Sequence, residues 1–388
     1  MKKLLSTLLI ICSYYSYAQV NDSAHYYVKT TDSLPFLNYG LGQDRLGGAK
    51  MTFLDSGVVL KVIDSSGRNY KVQLSNQHTA FIEKKHVIKT NHYQPRQHLT
   101  GSWSVYGDSV YDYTSIQLDE KLPYRAVMQI NPSRIVLEIF GAVSNTNWIT
   151  QLKTAKEIKN VWYEQSADDV MKVFIELKHP QHWGYDIYYS GRNRLTVKVK
   201  RQPEKLNLRN MTIAIDAGHG GTQAGAKGVK TGILEKDYTL LIAKELETKL
   251  RRKNVNVIMT RDIDTTLAMY DRLSFLKKHD PDMLISIHLN SSSRESASGV
   301  STYYRYIGFR PLSQFILEEM KELDLNDFGN IGGFNFSLSG PTEYLNCLVE
   351  VAFLSNISDE QKILDPRFRK KTAVKITNGI KAFLKDNK

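Results

Sequence analysis

The chain has 388 residues, of which 41% are hydrophobic, so it is long enough for two or three domains with cores of their own. Its formal charge of +12 suits a polyanionic partner, but it equally suits a solvated, mildly cationic surface. The basic residues are scattered. A nucleic-acid-binding module, which needs basic and aromatic side chains clustered together, is therefore not predicted.

The first 18 residues have the features of an export signal. Lys2 and Lys3 precede an apolar run at 4–11, and Ser16-Tyr17-Ala18 forms a small-x-small cleavage site. The apolar run is too short to cross a bilayer, and no other stretch approaches that length. We therefore predict an exported protein without a membrane span, periplasmic in preference to extracellular.

Cysteine usage predicts a mature protein without disulfides. Cys12 lies in the export signal, and Ile11 before it is larger than the residue expected ahead of a lipidated cysteine. Cys347 lies in an apolar run, which indicates a buried filler rather than a nucleophile. Stability must then come from the cores and from any bound metal.

Residues 22–92 contain about five short β segments separated by turns such as Asp55-Ser56-Gly57, a pattern that predicts a small closed barrel. The segment resembles the bacterial SH3-like modules of secreted wall enzymes in its strand spacing and in the run 81–88. That resemblance implies binding to the wall or to a peptide, although a plain spacer barrel fits the pattern nearly as well.

A linker is predicted at 93–100 and a second all-β region at 101–202. Strand-like runs such as 135–140 and 170–177 predict a β-sandwich. This region resembles the AMIN localisation domain that precedes some periplasmic amidases, which implies a wall or protein partner for placement. Its four tryptophans are expected in the core rather than as sugar-binding platforms; they are Trp103, Trp148, Trp162 and Trp183.

A charged connector is predicted at 203–210, and after it strand-like and helical segments alternate along the chain. Five apolar runs alternate with helical patterns, of which 237–253 is amphipathic with a basic C-terminal end. This alternation predicts a three-layer α/β domain over 211–388.

Four chemically active side chains fall at predicted strand ends or loops of this last domain. His219 follows a strand within a glycine-rich loop, and His288 and Glu350 end two other apolar runs. Glu235 opens the first predicted helix. Ligands bind beyond the carboxyl ends of strands in open α/β sheets, so we expect these groups to meet at one edge.

Two imidazoles and one carboxylate are the donor set of a catalytic zinc site whose fourth position is open to water. Zinc lowers the pKa of that water towards about 7 and polarises a carbonyl oxygen. A further carboxylate outside the ligand set is needed to move the proton to the leaving amine.

Residues 211–388 resemble the catalytic domain of the zinc-dependent N-acetylmuramoyl-L-alanine amidases. The motifs that carry the resemblance occur in the family's order and are Asp-Ala-Gly-His-Gly-Gly at 216–221, Glu-Lys-Asp at 235–237, Thr-Arg-Asp at 260–262, Ser-Ile-His-Leu-Asn at 286–290 and Leu-Val-Glu-Val-Ala-Phe-Leu-Ser-Asn at 348–356. It implies that His219, Glu235 and His288 bind Zn²⁺ and that Glu350 is the general acid/base. The implied reaction is hydrolysis, by zinc-activated water, of the amide between the muramic acid lactyl group and L-alanine in peptidoglycan, in cell-wall remodelling or daughter-cell separation.

Other interpretations of single residues remain open at this point. His219 is read alternatively as an ordinary loop residue, His288 as a satisfied core histidine, and Glu235 as an acid favoured by the helix dipole. A carboxylate buried within Val-Glu-Val, by contrast, requires a reason. The alternative functions are a zinc peptidase acting within the stem peptide, which would carry its first histidine and glutamate close together, and a wall-binding protein with an inactive site.

Four further expectations concern the surroundings of the site. Arg261 and Arg272 are expected to be structural ion-pair partners rather than substrate clamps. The glycines beside His219 are expected to let substrate backbone approach the metal. The tract between His288 and Glu350 is short, and by the resemblance this favours an open site that needs no activator, while Pro311 alters the expected start of a helix at the groove rim.

Overall fold

The structure is a computed structural model that describes residues 26–31, 34–42, 48–91, 93–146 and 148–388. The predicted export signal and Cys12 lie outside the described residues. In the ranges described, no helix combines the length and the apolar character needed to cross a membrane.

The first β module is a single antiparallel sheet of seven strands. Their order across the sheet is β3-β2-β6-β5-β4-β1-β7. The strands are β1 (Tyr26–Thr30), β2 (Phe36–Asn38), β3 (Lys50–Phe53), β4 (Val59–Ser66), β5 (Asn69–Gln73), β6 (Thr79–Glu83) and β7 (Val87–Thr90). Alternate apolar side chains such as Val28 and Val72 are fully buried. The module thus has more strands than the roughly five that the sequence predicts, and β2 and β7 have only three and four residues.

The second β module consists of two facing sheets. One has the order β10-β11-β15-β14, and the other has the order β12-β8-β9-β17-β16 with β13 beside β8. The strands are β8 (His98–Gly107), β9 (Tyr111–Leu118), β10 (Tyr124–Ile130), β11 (Ser133–Phe140), β12 (Ala142–Val143), β13 (Ile149–Gln151), β14 (Ile158–Ala167), β15 (Val170–Leu177), β16 (Tyr185–Ser190) and β17 (Arg194–Lys200). Inward side chains from both sheets, such as Val105 and Leu137, belong to one continuous core.

Two expectations for this region are wrong in part. The predicted linker ends early, because His98 is buried, hydrogen-bonds Asp119 at 2.8 Å and begins β8. Trp103 and Trp183 are buried as expected, but the side chain of Trp148 is 75% exposed. Trp148 precedes a short strand at the module surface, so it is not a core residue.

The C-terminal domain is built on a six-stranded sheet with the order β19-β18-β20-β23-β21-β22. All neighbouring strands run parallel except β21 and β23. Its elements are β18 (Thr212–Ala217), α1 (Glu235–Arg251), β19 (Asn256–Met259), α2 (Met269–His279), β20 (Met283–Asn290), β21 (Val300–Tyr303), α3 (Arg310–Lys321), β22 (Asp327–Ile331), β23 (Leu345–Phe353), α4 (Ile357–Leu364) and α5 (Pro366–Asp386). Strand β22 and helix α4 are additional to the predicted elements.

Both faces of this sheet are apolar, as expected for strands with near-continuous hydrophobic sequences. Ile213 and Ile215 of β18 belong to the core that contains Leu246 of α1. Ala214, between them, packs on the other face in a small cluster with Leu276 of α2. Successive strand residues point to opposite faces, so the alternation places helices on both sides of β18.

The three regions pack against one another through specific polar contacts. Lys200 of β17 donates to the carbonyl of Pro281 at 2.8 Å, and the backbone amide of Tyr185 donates to the carbonyl of Thr342 at 2.7 Å. The first β module also reaches the C-terminal domain, because Asn335 donates to the carbonyl of Gly48 at 2.8 Å. Both β modules are therefore in direct contact with the domain that carries the predicted site.

Candidate metal and catalytic site

The sheet brings three of the four predicted site residues to adjacent strands. Ala217 at the end of β18 pairs with Ile287, and His288 pairs with Glu350 of β23. Strands β20 and β23 continue two and three residues further, so His288 and Glu350 lie just inside their strands rather than at the ends. Since adjacent strands are about 4.8 Å apart, the three backbone positions share one edge of the site.

His219 adopts a backbone conformation that positions its ring. Its φ angle is 61°, in the left-handed region that non-glycine residues enter at a cost of about 1 kcal/mol. The conformation is held by neighbours: the guanidinium of Arg272 donates to the carbonyl of His219 at 2.5 Å, and the amide of Gly218 donates to the carbonyl of Ile287 at 3.0 Å. The chain turns sharply here and presents the imidazole to the site.

Glu235, the first residue of α1, joins the two histidines. One carboxylate oxygen lies 3.2 Å from Nε2 of His219, and the other lies 3.0 Å from Nδ1 of His288. The backbone amides of Ala226 and Leu289 donate to the same two oxygens at 2.7 and 3.0 Å. The carboxylate is 5% exposed and held from four directions.

The charges of this cluster are strongly coupled. Burial alone would raise the pKa of Glu235, but hydrogen bonds from His219 and His288 hold that pKa well below its usual range. Burial opposes a charged imidazole, yet the hydrogen bond and charge of Glu235 raise the pKa of His288 to about 9. The cluster therefore attracts positive charge, and a divalent cation bound there would displace the imidazole proton.

The donor set fits zinc. One ligand atom each from His219, Glu235 and His288 lies within 4.8 Å of the others, and in the described ranges this is the one group of three or more histidine, cysteine or acidic side chains so arranged. Two imidazole nitrogens and a carboxylate oxygen match the ligands of catalytic zinc sites, which leave a position open. The backbone amides on Glu235 orient its carboxylate in the manner of outer-sphere partners in such sites.

Two glycines make room for the donors. A Cβ on Gly218 would lie 2.4 Å from the ring of His288, and a Cβ on Gly225 would lie 2.4 Å from the carboxylate of Glu235. Gly220 and Gly221 instead face the backbone of the loop around Thr265, which a Cβ on Gly220 would meet at 2.3 Å. The expectation that these glycines admit substrate backbone is therefore wrong, because they admit the protein's own groups.

Glu350 lies beside the donor cluster in the same groove. The groove encloses about 650 Å³ and is lined by all four predicted residues. Glu350 is 8% exposed and sits in a strand that is buried throughout. Its backbone pairs with that of His288 on the neighbouring strand, and its charge contributes, after that of Glu235, to the raised pKa of His288.

A buried polar network supports the site from below. Asp216 is 1% exposed and accepts hydrogen bonds from Arg272 at 2.5 Å, Thr260 at 2.7 Å and Ser286 at 2.8 Å. Burial would raise the pKa of Asp216, but the charge of Arg272 holds it below its ordinary value. The sequence analysis names Asp216 only as part of a motif and gives it no role. Its position at the end of an apolar strand is the signal that could have predicted a buried carboxylate with a charged partner.

The two arginines behave as structural residues. Arg272 pairs with Asp216, as expected. Arg261 donates instead to the carbonyls of Ala217 at 2.9 Å and Gly218 at 3.0 Å, so it secures the loop before His219 through backbone bonds. Among the residues that the structure describes, it forms no ion pair within 4.0 Å.

Comparison with known proteins identifies the family of the C-terminal region. A family model described as N-acetylmuramoyl-L-alanine amidase matches residues 213–382. The uncharacterized protein YqiI of Bacillus subtilis is 32% identical over 181 residues, a match that spans 45% of this chain and 86% of YqiI. The chain belongs to the N-acetylmuramoyl-L-alanine amidase family. It is accordingly an enzyme of the amidase class.

Other similar proteins carry related names. The probable cell wall amidase LytH of Staphylococcus aureus is 30% identical over 190 residues, which is 49% of this chain and 64% of LytH. Among solved structures, the catalytic domain of CwlV, an N-acetylmuramoyl-L-alanine amidase from Bacillus (Paenibacillus) polymyxa var. colistinus, is 30% identical with a TM-score of 0.44 and covers 46% of this chain and 99% of that one. All three matches cover about half of this amidase.

Proposed function

We propose that this protein is a zinc-dependent amidase that hydrolyses the bond between the muramic acid lactyl group and the L-alanine of the stem peptide. The observation that carries the proposal is the meeting of His219, Glu235 and His288 around one point, with Glu350 on the adjacent strand. Membership of the amidase family supports the bond that is cut.

The three donors would hold the metal through Nε2 of His219, Nδ1 of His288 and the carboxylate of Glu235. When bound, zinc supplies Lewis acidity and lowers the pKa of water to about 7. The backbone amides of Ala226 and Leu289 keep the Glu235 carboxylate oriented, and Arg272 keeps His219 in its strained conformation. The site is thus preorganised by groups that do not themselves react.

Glu350 is the group we assign to proton transfer. Its carboxylate lies in the groove beside His288, outside the donor set. A buried carboxylate at this place can take a proton from the attacking water and deliver it to the nitrogen of the leaving L-alanine. Cleavage of the amide then releases an intact stem peptide and a free lactyl carboxylate.

The rest of the chain fits an exported wall enzyme. We infer a three-layer α/β catalytic domain at 211–388, an SH3-like module at 22–92 and an AMIN-like module at 101–202, preceded by an export signal at 1–18. The two modules would place the enzyme on peptidoglycan or on a protein partner. The biological role would be wall remodelling or daughter-cell separation, in the periplasm or outside the cell.

Glu350→Gln tests the assignment, because the amide keeps the size of the side chain but cannot accept the proton. We expect hydrolysis of purified sacculi to fall by about 10²- to 10⁴-fold while one zinc per chain is retained. Glu247→Gln, which alters an ion pair on the outer face of α1, is the matched control. Full activity in Glu350→Gln would exclude the proposed role.

The bond that is cut is identified by mass spectrometry of the digest. Intact stem peptides with a free L-alanine amino group indicate the proposed amidase. Shortened peptides still attached to muramic acid would indicate a zinc peptidase instead. If the protein binds zinc but releases no products, it is a wall-binding protein.

A further inference from the structure

One wall of the catalytic groove is a loop with little internal structure. Residues 332–344, the groove loop, join β22 to β23, and residues 335–338 line the same groove as the metal donors. The loop contains Gly332, Gly333 and Gly340 and one short 3₁₀ turn at Ser337–Ser339. Glycines add conformational freedom, so contacts from outside must define the position of this wall.

Near its C-terminal end the loop is held by Tyr185 of the second β module, which bonds Thr342, whereas the part that lines the groove is held by the first β module. Asn335 donates to the carbonyl of Gly48 at 2.8 Å and accepts from the backbone amide of Lys50 at 3.3 Å. Arg305, which follows β21, donates to the side chain of Asn335 at 3.2 Å and also to the carbonyl of Lys50. The Asn335 side chain is thus tied to the backbone at the start of β3 and to an arginine of the C-terminal domain.

Strand β3 also packs against the rear of the loop. A Cβ on Gly340 would lie 3.3 Å from the ring of Phe53, so the aromatic ring rests directly on the loop backbone. The hydroxyl of Tyr306 donates to the carbonyl of Gly340 at 2.7 Å. The groove loop is therefore held near both of its ends, by Asn335 and by Gly340.

An aromatic cluster connects these anchors to the groove. The ring of Phe336 lies 5.3 Å from that of Tyr303 and 4.6 Å from that of Phe334. Phe336 itself lines the groove, one residue from the anchored Asn335. A shift of Asn335 would move Phe336 along the surface that faces the substrate.

We propose that the first β module is part of the catalytic apparatus: through Asn335 it positions the groove loop, and so sets how firmly the peptidoglycan strand is bound beside the metal. This inference rests on the proposed function for the identity of the substrate. Asn335 is a positioning residue, since it acts through Phe336 and its neighbours rather than on the reacting atoms. Placement on the wall is then a second role of the module, not its only one.

Asn335→Ala in the full chain tests the proposal. Removing the three side-chain bonds should speed amide hydrogen exchange at 334–340 and raise KM for soluble disaccharide-peptides roughly tenfold, with kcat within about twofold and zinc content unchanged. Asn335→Asp keeps the acceptor for Lys50 and Arg305, so it should recover part of the loss. Asn256→Ala, which removes one hydrogen bond at the edge strand β19, is the control.

Two results would overturn the proposal: unchanged exchange at 334–340 in Asn335→Ala, or faster exchange with unchanged KM. Substrate binding can also be measured without hydrolysis. The same disaccharide-peptide is titrated into the Glu350→Gln protein with and without Asn335→Ala, so that this test does not depend on the proposed function. If the wild type shows no hydrolysis, the proposed function fails. Binding weakened by the Asn335 change then still supports the positioning role, and unaltered binding refutes it.

Discussion

The guanidinium of Arg272 donates a 2.5 Å hydrogen bond to the backbone carbonyl of His219, and it does so while paired with the buried carboxylate of Asp216. The arginine therefore links the floor of the sheet to the one histidine of the site with a left-handed backbone. Arg272, which is not a metal donor, thus fixes the backbone conformation that orients the imidazole of His219. Bonding one carboxylate and two backbone carbonyls at once uses the several N–H donors of a planar guanidinium.

The first prediction concerns Arg272→Lys. An ammonium group cannot reach Asp216, Ala217 and His219 together, so a buried carboxylate loses part of its compensation. We expect a loss of about 3 kcal/mol in the free energy of unfolding, measured by urea titration, together with lower zinc occupancy. Arg367→Lys, in an exposed pair with Asp365, should change stability by less than about 1 kcal/mol. Equal effects of the two changes would contradict the role given to Arg272.

The second prediction concerns Gly225→Ala. The added methyl group would lie 2.4 Å from the Glu235 carboxylate, and the φ angle of 72° adds backbone strain. We expect the zinc affinity to fall by about 10- to 100-fold, as when an outer-sphere partner is lost, measured by competition with a chelating dye.

Gly67→Ala is the control that separates backbone strain from the steric clash expected in Gly225→Ala. Its φ angle is 54° and a Cβ there would have no neighbour within 4 Å, so only the backbone cost of about 1 kcal/mol remains. Unchanged zinc affinity is expected for this control. A similar loss of affinity in both variants would show that the effect at Gly225 is global destabilisation.

The sequence predicts the positions of the candidate site residues in the fold well where those positions depend on local pattern. Strand positions of His288 and Glu350 follow from apolar runs, and Glu235 is correctly placed at a helix start. Strand β20 runs two residues beyond its apolar run, to Asn290, which pairs with Phe353 of β23. Such extension depends on the partner strand, which the local sequence does not contain.

What the sequence does not predict depends on long-range contact. Asp216 meets Arg272 across 56 positions, and Asn335 meets Gly48 across 287 positions. Neither pair has a periodic pattern or a motif spacing that joins its members. The purpose of Gly218 and Gly225 likewise appears only once the folded chain brings His288 and Glu235 against them.

The third prediction concerns the metal donors. His219→Ala and His288→Ala each leave two ligands, so zinc content should fall well below one per chain by atomic absorption. Because ligand binding stabilises the folded state, a chelator should lower the Tm of the wild type and have little effect on either variant. A wild type whose Tm and activity are both unaffected by chelator would contradict the metal assignment.

The fourth prediction concerns pH and Glu343, which lies where the three regions of the chain meet. Burial, with a further contribution from Asp186 and against the charge of Lys277, raises the pKa of Glu343 to about 7. The folded state then holds this proton more tightly than the unfolded chain, whose glutamate pKa is about 4.3. Stability contributed by protonated Glu343 is full below that value and is lost as the pH rises to about 7, because the unfolded state binds fewer protons in this window.

Glu343→Gln removes the titration, so the free energy of unfolding of the wild type relative to the variant should fall by about 1–3 kcal/mol between pH 4.5 and 7.5. Chemical denaturation at several pH values measures the difference, with Glu204→Gln, at an exposed connector position, as the control. A constant difference across this range would show that Glu343 titrates as an ordinary carboxyl group, and that the junction between the modules and the catalytic domain carries no buried proton.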